Sequence, residues 1–314
     1  MTGPVVLITD SDLGGRVEEQ QQLEDALSAR VDLADCRTEA DVLAAVEALQ
    51  PDAIVTQWAP ITRKVFDAAP GIRIVSRYGI GVDNIDTSAA AERGIAVKNV
   101  PHYCTEEVAT HAVALAMSLW RRLPQLDGEL RSGRWRAADH APEVGRLSDA
   151  TLGLIGAGRI GSMVARAFAA WGTRVVVVDP IAGGDSYPRV SLEELAATSD
   201  IISLHAPLVD TNHHMIDREF VSTAIKRPIL VNTSRGGLVD AAAVAEGLSA
   251  GLLRGAGLDV FEQEPLPTDS SLRSAPNLIL TPHAAWCSDA ALPDLRRGAI
   301  ANVIEFFSGR ASDE

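Results

Sequence analysis

Residues 151–161 read "TLGLIGAGRIG": an apolar run, three glycines in the spacing G-x-G-x-x-G, and the opening of the helical pattern "SMVARAFAAWG". The next apolar run, "TRVVVVDP" (173–180), carries Asp179 at its end. A bare G-x-G-x-x-G is a weak signal, but strand, glycine turn, helix, strand and terminal acid in that order make a dinucleotide-binding fingerprint. Each part has a mechanical reason. Gly156 permits the tight turn, Gly158 lets a pyrophosphate approach the backbone, and Gly161 lets the helix pack closely on the strand. Arg159 and Ile160 begin the helix, whose free N–H groups and positive dipole end face the phosphates. Asp179 can accept hydrogen bonds from ribose hydroxyls and repels a 2′-phosphate, so NAD is expected rather than NADP. The competing reading is a glycine-rich turn in some other α/β protein.

Working outward, the same alternation fills the chain. Before the fingerprint, "VVLIT" (5–9), "DAIVTQ" (52–57), "IRIVSR" (72–77) and "IAVKNV" (95–100) read as strands and 17–29 as a helix. "TEEVATHAVALAMSLWRRL" (105–123) reads as one long helix, with Thr105 as N-cap, acidic residues in its first turn and arginines in its last. It is apolar on more than one face, which predicts burial between domains or subunits. The polar, Gly/Pro-punctuated stretch after it, 131–150, reads as a connecting loop. After the fingerprint, "DIISLHAPL" (200–208), "RPILVNTSRGG" (227–237), "RGAGLDVFEQEP" (254–265) and "NLILTPHAAW" (277–286) each read as a buried strand ending in a polar loop. Strand–helix alternation predicts parallel sheets with helices on both faces. The helical tail, about 289 to 308, is too small for a domain and is expected to return to the first block.

Composition narrows the function classes. The chain has 314 residues, 46% hydrophobic and 22% charged, which suits two globular domains. Its formal net charge of −14 opposes nucleic acid and anionic membranes as partners. Cys36, Cys104 and Cys287 are widely spaced, with no C-x-x-C, so neither zinc nor a disulfide framework is suggested. The first ten residues show no basic stretch followed by an apolar core, and no apolar run is long enough for a membrane span. A cytoplasmic protein is expected.

Ligands of open α/β sheets bind beyond the carboxyl ends of the strands. Three polar residues follow strands there: Arg235 after "PILVNTS", Glu264 after "GAGLDVFEQ" and His283 after "LILTP". Together they suit hydride transfer between NAD and a 2-hydroxy or 2-keto acid. His283 would donate or accept the proton at the carbonyl oxygen. Glu264 would orient the ring and favour its protonated form. Arg235 would clamp the carboxylate and polarise the carbonyl. Singly, each has a plainer reading: a surface ion-pair partner, a loop carboxylate and a capping residue. The adjacent His213 and His214 invite a metal assignment, but the sequence shows no nearby carboxylate at ligand spacing. They are read as a loop feature, and no metal is expected.

The segments "GVDNID" (81–86), "GIAVKNVP" (94–101), "GLIGAGRIG" (153–161), "VNTSRGGLVD" (231–240), "GLDVFEQEP" (257–265) and "TPHAAW" (281–286) resemble the D-isomer-specific 2-hydroxyacid dehydrogenases, in that family's order and over nearly the whole chain. The resemblance implies two doubly wound parallel-sheet domains. One is a discontinuous flavodoxin-like substrate (catalytic) domain, residues 1–100 plus 287–314. The other is a Rossmann NAD-binding domain, 101–286, through which a homodimer forms. It also implies that Arg235, Glu264 and His283 are the catalytic set. Pro207, Thr211, Thr233 and Asp259 would be further cofactor contacts, and Tyr78-Gly79-Ile80-Gly81 a substrate-facing backbone loop.

Within the family, "SRYGIGVDNID", "TNHHMI" and "TPHAAWCSD" look most like the branch of the C-terminal binding protein corepressors, in which the tryptophan corresponding to Trp286 faces substrate. Phosphoglycerate dehydrogenases carry an arginine where Arg77 stands, so Arg77 is a candidate for a second anionic group of the substrate; a surface charge or an interdomain ion pair is the alternative. His102 and Cys104 stand where many members have Gly and Ser, a departure from the family pattern in that loop. Formate dehydrogenases carry Gln where Glu264 stands, which argues against that branch. The expected activity is reduction of a small anionic 2-keto acid, or oxidation of the D-2-hydroxy acid, with NAD. The alternative is an NAD(H)-sensing scaffold with incidental dehydrogenase activity.

Overall fold

A computed structural model describes residues 3–180 and 187–309; the outermost residues of the expected substrate-domain spans lie outside them. The chain divides into two compact units, Met1–Tyr103 with Ser288–Glu314, and Cys104–Cys287. In chain order the first unit holds β1 (Val5–Ile8), α1 (Arg16–Leu27), β2 (Arg30–Leu33), α2 (Glu39–Leu49), β3 (Ala53–Thr56), α3 (Arg63–Ala68), β4 (Ile74–Arg77), α4 (Thr87–Glu92) and β5 (Ala96–Lys98). The second holds α5 (Thr105–Trp120), α6 (Leu123–Arg131), β6 (Thr151–Ile155), α7 (Arg159–Ala170), β7 (Arg174–Val178), α8 (Leu192–Thr198), β8 (Ile201–Leu204), α9 (Arg218–Thr223), β9 (Ile229–Asn232), α10 (Ala241–Ser249), β10 (Gly255–Leu258) and β11 (Leu278–Leu280). The last helix, α11 (Ala291–Ser308), belongs to the first unit.

The first unit's sheet runs β2-β1-β3-β4-β5, all parallel, the flavodoxin-like order. Its strands are short and β-branched, and both faces are covered. Leu7, Ile54 and Val75 point into a core with Val42 and Val46 of α2 and Val65 and Phe66 of α3. On the other face lie α1 and α11, and Ser76 Oγ donates to the carbonyl of Ala299 at 2.8 Å. Helix α2 begins at a capping box: Thr38 accepts from the Asp41 amide while Asp41 accepts from the Thr38 amide.

The second unit's sheet runs β11-β10-β9-β8-β6-β7, again all parallel. Outside β7, among the described residues, Arg189 bridges Val177 where a Rossmann sheet carries its third strand. Alternate residues along each strand enter different cores: Leu154, Ile201 and Val231 pack with α5 and α7, while Ile155, Ile202 and Leu230 pack with α8, α9 and α10. Continuous apolar strands are required because both faces are buried.

Several local expectations change. The 105–123 helix stops at Trp120, because Arg122 takes a left-handed φ of 55° and a separate helix starts at Leu123. Its cap position falls on Cys104 rather than Thr105. One of its apolar faces is covered within its own unit. Ala109, Ala112, Leu115, Ala116, Leu119 and Trp120 join the second unit's own core, since the helix lies against α7, β9 and β10. The stretch expected to be a plain loop contains 3-10 turns at Ala137–Glu143 and Leu147–Asp149.

Candidate active site

The glycine turn forms where β6 hands over to α7. Gly156 has φ 92°, and a Cβ there would lie 2.7 Å from the His205 carbonyl; a Cβ on Gly161 would lie 2.2 Å from the Gly156 oxygen. Close approach therefore forbids a side chain at both. Gly158 differs: its Cβ direction meets open space, and it caps α7 without a side chain over the helix's first amides. An anion can reach those amides through that opening. Arg159 is exposed and Ile160 partly buried beside it.

Asp179 stands just past β7, and its Oδ2 accepts from the Ala157 amide at 2.7 Å, so the acid also braces the turn. Thr233, just past β9, is buried, and its Oγ1 has no hydrogen-bond partner among the described residues. A buried hydroxyl left so is costly unless a ligand supplies the missing bond. The open cradle at Gly158, the acid at Asp179 and the orphaned Thr233 hydroxyl together fit a dinucleotide. Pro207 and Thr211 are exposed in the loop after β8, where Asn212 Nδ2 donates to the Pro207 carbonyl at 2.8 Å.

Asn232, the buried last residue of β9, shapes the turn presenting Arg235: its Oδ1 accepts from the Ser234 amide at 3.0 Å and its Nδ2 donates to the Arg235 carbonyl at 2.8 Å. Beyond β10, Glu264 Oε1 accepts from the Phe261 amide at 2.9 Å. Its Oε2 lies 2.8 Å from Nδ1 of His283, which follows β11. Burial works against ionising Glu264, but the bond and charge of His283, the Phe261 amide and the charge of Arg235 outweigh it and hold the carboxyl below its ordinary range. With Nδ1–H committed to the carboxylate, Nε2 is the ring atom suited to exchange a proton with a ligand.

His283 sits at φ 53°, a left-handed backbone seldom adopted by histidine. Its amide donates to the Asp259 carbonyl at 2.8 Å. Asp259, expected as a cofactor contact, braces this loop. Its carboxylate is fully buried and accepts from Thr281 Oγ1, from the Ala284 amide at 2.8 Å and from the Ala285 amide at 2.9 Å. It therefore holds the segment that carries His283. His111 of α5, which sequence reasoning passed over, lies 3.0 Å from Thr281 Oγ1 in the same network. Trp286 is partly buried at the loop's far end.

The first unit carries the other expected substrate residues. The Arg77 guanidinium lies 5.5 Å from the Trp58 ring centroid and runs against Gly79, where a Cβ would come within 1.6 Å of its Nη1. Tyr78 does not project from the loop. It is buried, and its hydroxyl donates to Glu19 at 2.8 Å, while Arg296 Nε donates to the other Glu19 oxygen at 2.9 Å. Ile80 contributes its carbonyl, which accepts from Asn99, and Gly81 is partly buried.

One expectation is corrected by distance. The pair His213–His214 does have a carboxylate beside it: Glu262 Oε1 is 3.0 Å from His213 Nε2 and Oε2 is 3.2 Å from His214 Nε2. Nearly fifty residues of chain separate these groups, so spacing alone did not reveal them.

Among known proteins, the NAD-binding domain of the D-isomer specific 2-hydroxyacid dehydrogenases matches residues 113–285. A glyoxylate reductase of Korarchaeum cryptofilum is 42% identical over 261 residues, covering 80% of this chain and 77% of the relative. A D-3-phosphoglycerate dehydrogenase of Mycobacterium bovis is 38% identical over 291 residues, covering 90% of this chain; the chain spans 53% of that longer relative. Among solved structures, a protein of Thermus thermophilus superposes with TM-score 0.86 at 34% identity, covering 99% of each chain. The D-lactate dehydrogenase of Aquifex aeolicus, complexed with NAD and lactic acid, superposes with TM-score 0.83 at 28% identity, covering 97% of this chain and 96% of that one.

Proposed function

The chain belongs to the D-isomer-specific 2-hydroxyacid dehydrogenases, and we propose that Arg235, Glu264 and His283 are the groups with which it reduces a small anionic 2-keto acid. It is an NAD-dependent oxidoreductase acting between a 2-keto acid and its 2-hydroxy acid. The observation that carries the assignment of roles is the 2.8 Å contact between His283 Nδ1 and Glu264 Oε2 at the carboxyl ends of the NAD-binding sheet.

When bound, NADH would supply the hydride for C2 of the acid. The residues supply the rest. Gly158 and the first amides of α7 would hold the pyrophosphate, Asp179 would accept from the ribose hydroxyls, and Thr233 would bond to the cofactor. Arg235 pairs with the substrate carboxylate through its planar fork and polarises the adjacent carbonyl. As negative charge grows on the carbonyl oxygen, His283 delivers the proton from Nε2. Glu264 holds the ring through Nδ1 and stabilises the imidazolium before transfer. In the reverse direction neutral His283 takes the hydroxyl proton.

We further take the first unit as the substrate domain and the second as the NAD domain. Arg77, held by Trp58 and Gly79, is read as the residue for a second anionic group on the substrate. No helix among the described residues is long and apolar enough to cross a membrane. Three cysteines, none in a disulfide, agree with a cytoplasmic setting, and exposed Leu123, Leu130 and Trp135 suit a homodimer contact. Steady-state oxidation of NADH against glyoxylate, longer 2-keto acids and phosphorylated 2-keto acids tests the reading. Sustained turnover on at least one acid is expected. Binding of NADH with no turnover on any of them would favour the scaffold.

A further inference from the structure

We propose that His213, His214 and Glu262 form a binding site for a borderline divalent transition cation of the zinc type, which ties together the loops bearing the active-site residues. One ligand atom from each residue lies within 4.8 Å of the others. Glu262 stands 3.0 Å from His213 Nε2 and 3.2 Å from His214 Nε2. The two spacings run to separate oxygens of Glu262, and a zinc-type ion would draw both Nε2 atoms and the carboxylate in to about 2.0–2.2 Å, with the stacked rings turning toward it.

The backbone has already taken on the cost of this arrangement. His214 adopts a left-handed φ of 51°, and its ring stacks on that of His213 with centroids 3.9 Å apart and planes 26° apart. Two imidazoles and a carboxylate are the ligand types that suit zinc, copper or nickel rather than calcium or magnesium. Two-histidine, one-carboxylate sets also leave coordination positions open to water. On binding, each Nε2 offers its lone pair and the proton resides on Nδ1 or leaves to solvent.

Location gives the site its consequence. The His214 amide donates to the Gly237 carbonyl at 2.8 Å. A Cβ on Gly237 would lie 3.4 Å from the His213 ring, and one on neighbouring Gly236 would lie 2.3 Å from the Glu262 amide. The loops after β8, β9 and β10 therefore meet here. The first carries Thr211, the second Arg235 and the third Glu264. A cation bridging the first and third clamps all three, because the second is wedged between them. The inference does not depend on which acid the enzyme reduces.

The test is calorimetric titration of Zn2+ into the full chain after chelator treatment and dialysis, with amide exchange on the same samples. One equivalent should bind, with slowed exchange over residues 207–214, 235–238 and 260–264. His214→Asn, which keeps a residue tolerant of the left-handed backbone, and E262Q should each weaken binding at least about tenfold, while His283→Ala retains it. No saturable binding to the wild type, or binding that survives both His214→Asn and E262Q, would overturn the proposal. Loss of the equivalent in His283→Ala alone would overturn it too, by moving the ion to the catalytic pair.

Discussion

Nδ1 of His283 lies 2.8 Å from Oε2 of Glu264, and the carboxylate's second oxygen is held at 2.9 Å by the Phe261 amide. The carboxylate is thus anchored before it anchors the ring, which makes Nε2 the working atom. His283→Ala should lower kcat by about 10²- to 10⁴-fold, the usual worth of a placed acid–base group, while NADH affinity stays within a few-fold. Steady-state rates with fluorescence titration of NADH separate the two. Glu264→Gln keeps a hydrogen-bonding amide but no charge, so its loss of kcat should be real but smaller. Unchanged turnover in His283→Ala would refute the proton-transfer role.

Arg235 tests the carboxylate clamp. Arg235→Lys preserves the charge and removes the planar pair of donors. It should raise KM for the keto acid and lower kcat/KM by about tenfold or more, with NADH binding little altered. A variant with wild-type kcat/KM would place Arg235 outside the substrate's reach.

Asp179 joins cofactor choice to the shape of the glycine turn, because its carboxylate accepts from the Ala157 amide at 2.7 Å. Asp179→Ala should weaken NADH binding and narrow the preference for NADH over NADPH, since the charge that repels a 2′-phosphate is gone. Parallel titrations of both coenzymes read the ratio. An unchanged ratio would show that discrimination lies elsewhere.

His205 predicts an acid limb in stability. It packs beside the glycine turn with Nε2 2.9 Å from Ser203 Oγ, and burial lowers its pKa to about 4. Unfolded histidine titrates near 6.5, so below about that pH the unfolded chain binds the proton that the folded chain refuses. The contribution is therefore fully present above about pH 6.5 and is lost as the pH drops from there through about 4. His205→Gln should flatten that part of a Tm-against-pH profile. An identical slope in both proteins would assign the loss to the carboxylates.

The parts of this protein that were legible in the chain are those whose physics is local. Gly156 and Gly161 are dictated by close contacts with the neighbouring strand end and within the turn, Gly158 leaves the first amides of the helix open, and Asp179 stands just past the next strand. Continuous apolar strands separated by helical spacing announced parallel sheets covered on both faces, because such strands have no wet side. Arg235, Glu264 and His283 were legible as residues following strands, which is where open sheets present their ligands. The end of α5 was not, since a left-handed Arg122 is not a residue that marks a helix stop.

What the sequence by itself determined, then, was the two-sheet architecture, the dinucleotide turn and which residues reach the strand ends, because periodicity and turn chemistry act over a few residues at a time. Tertiary structure alone decided the rest. It made Asp259 the brace of the His283 loop, buried Tyr78 against Glu19 and Arg296, and set Glu262 beside His213 and His214. Each of those is a polar group whose partner lies far along the chain. The need to satisfy a buried or crowded polar atom selects its partner in space, and nothing in the local sequence records the choice.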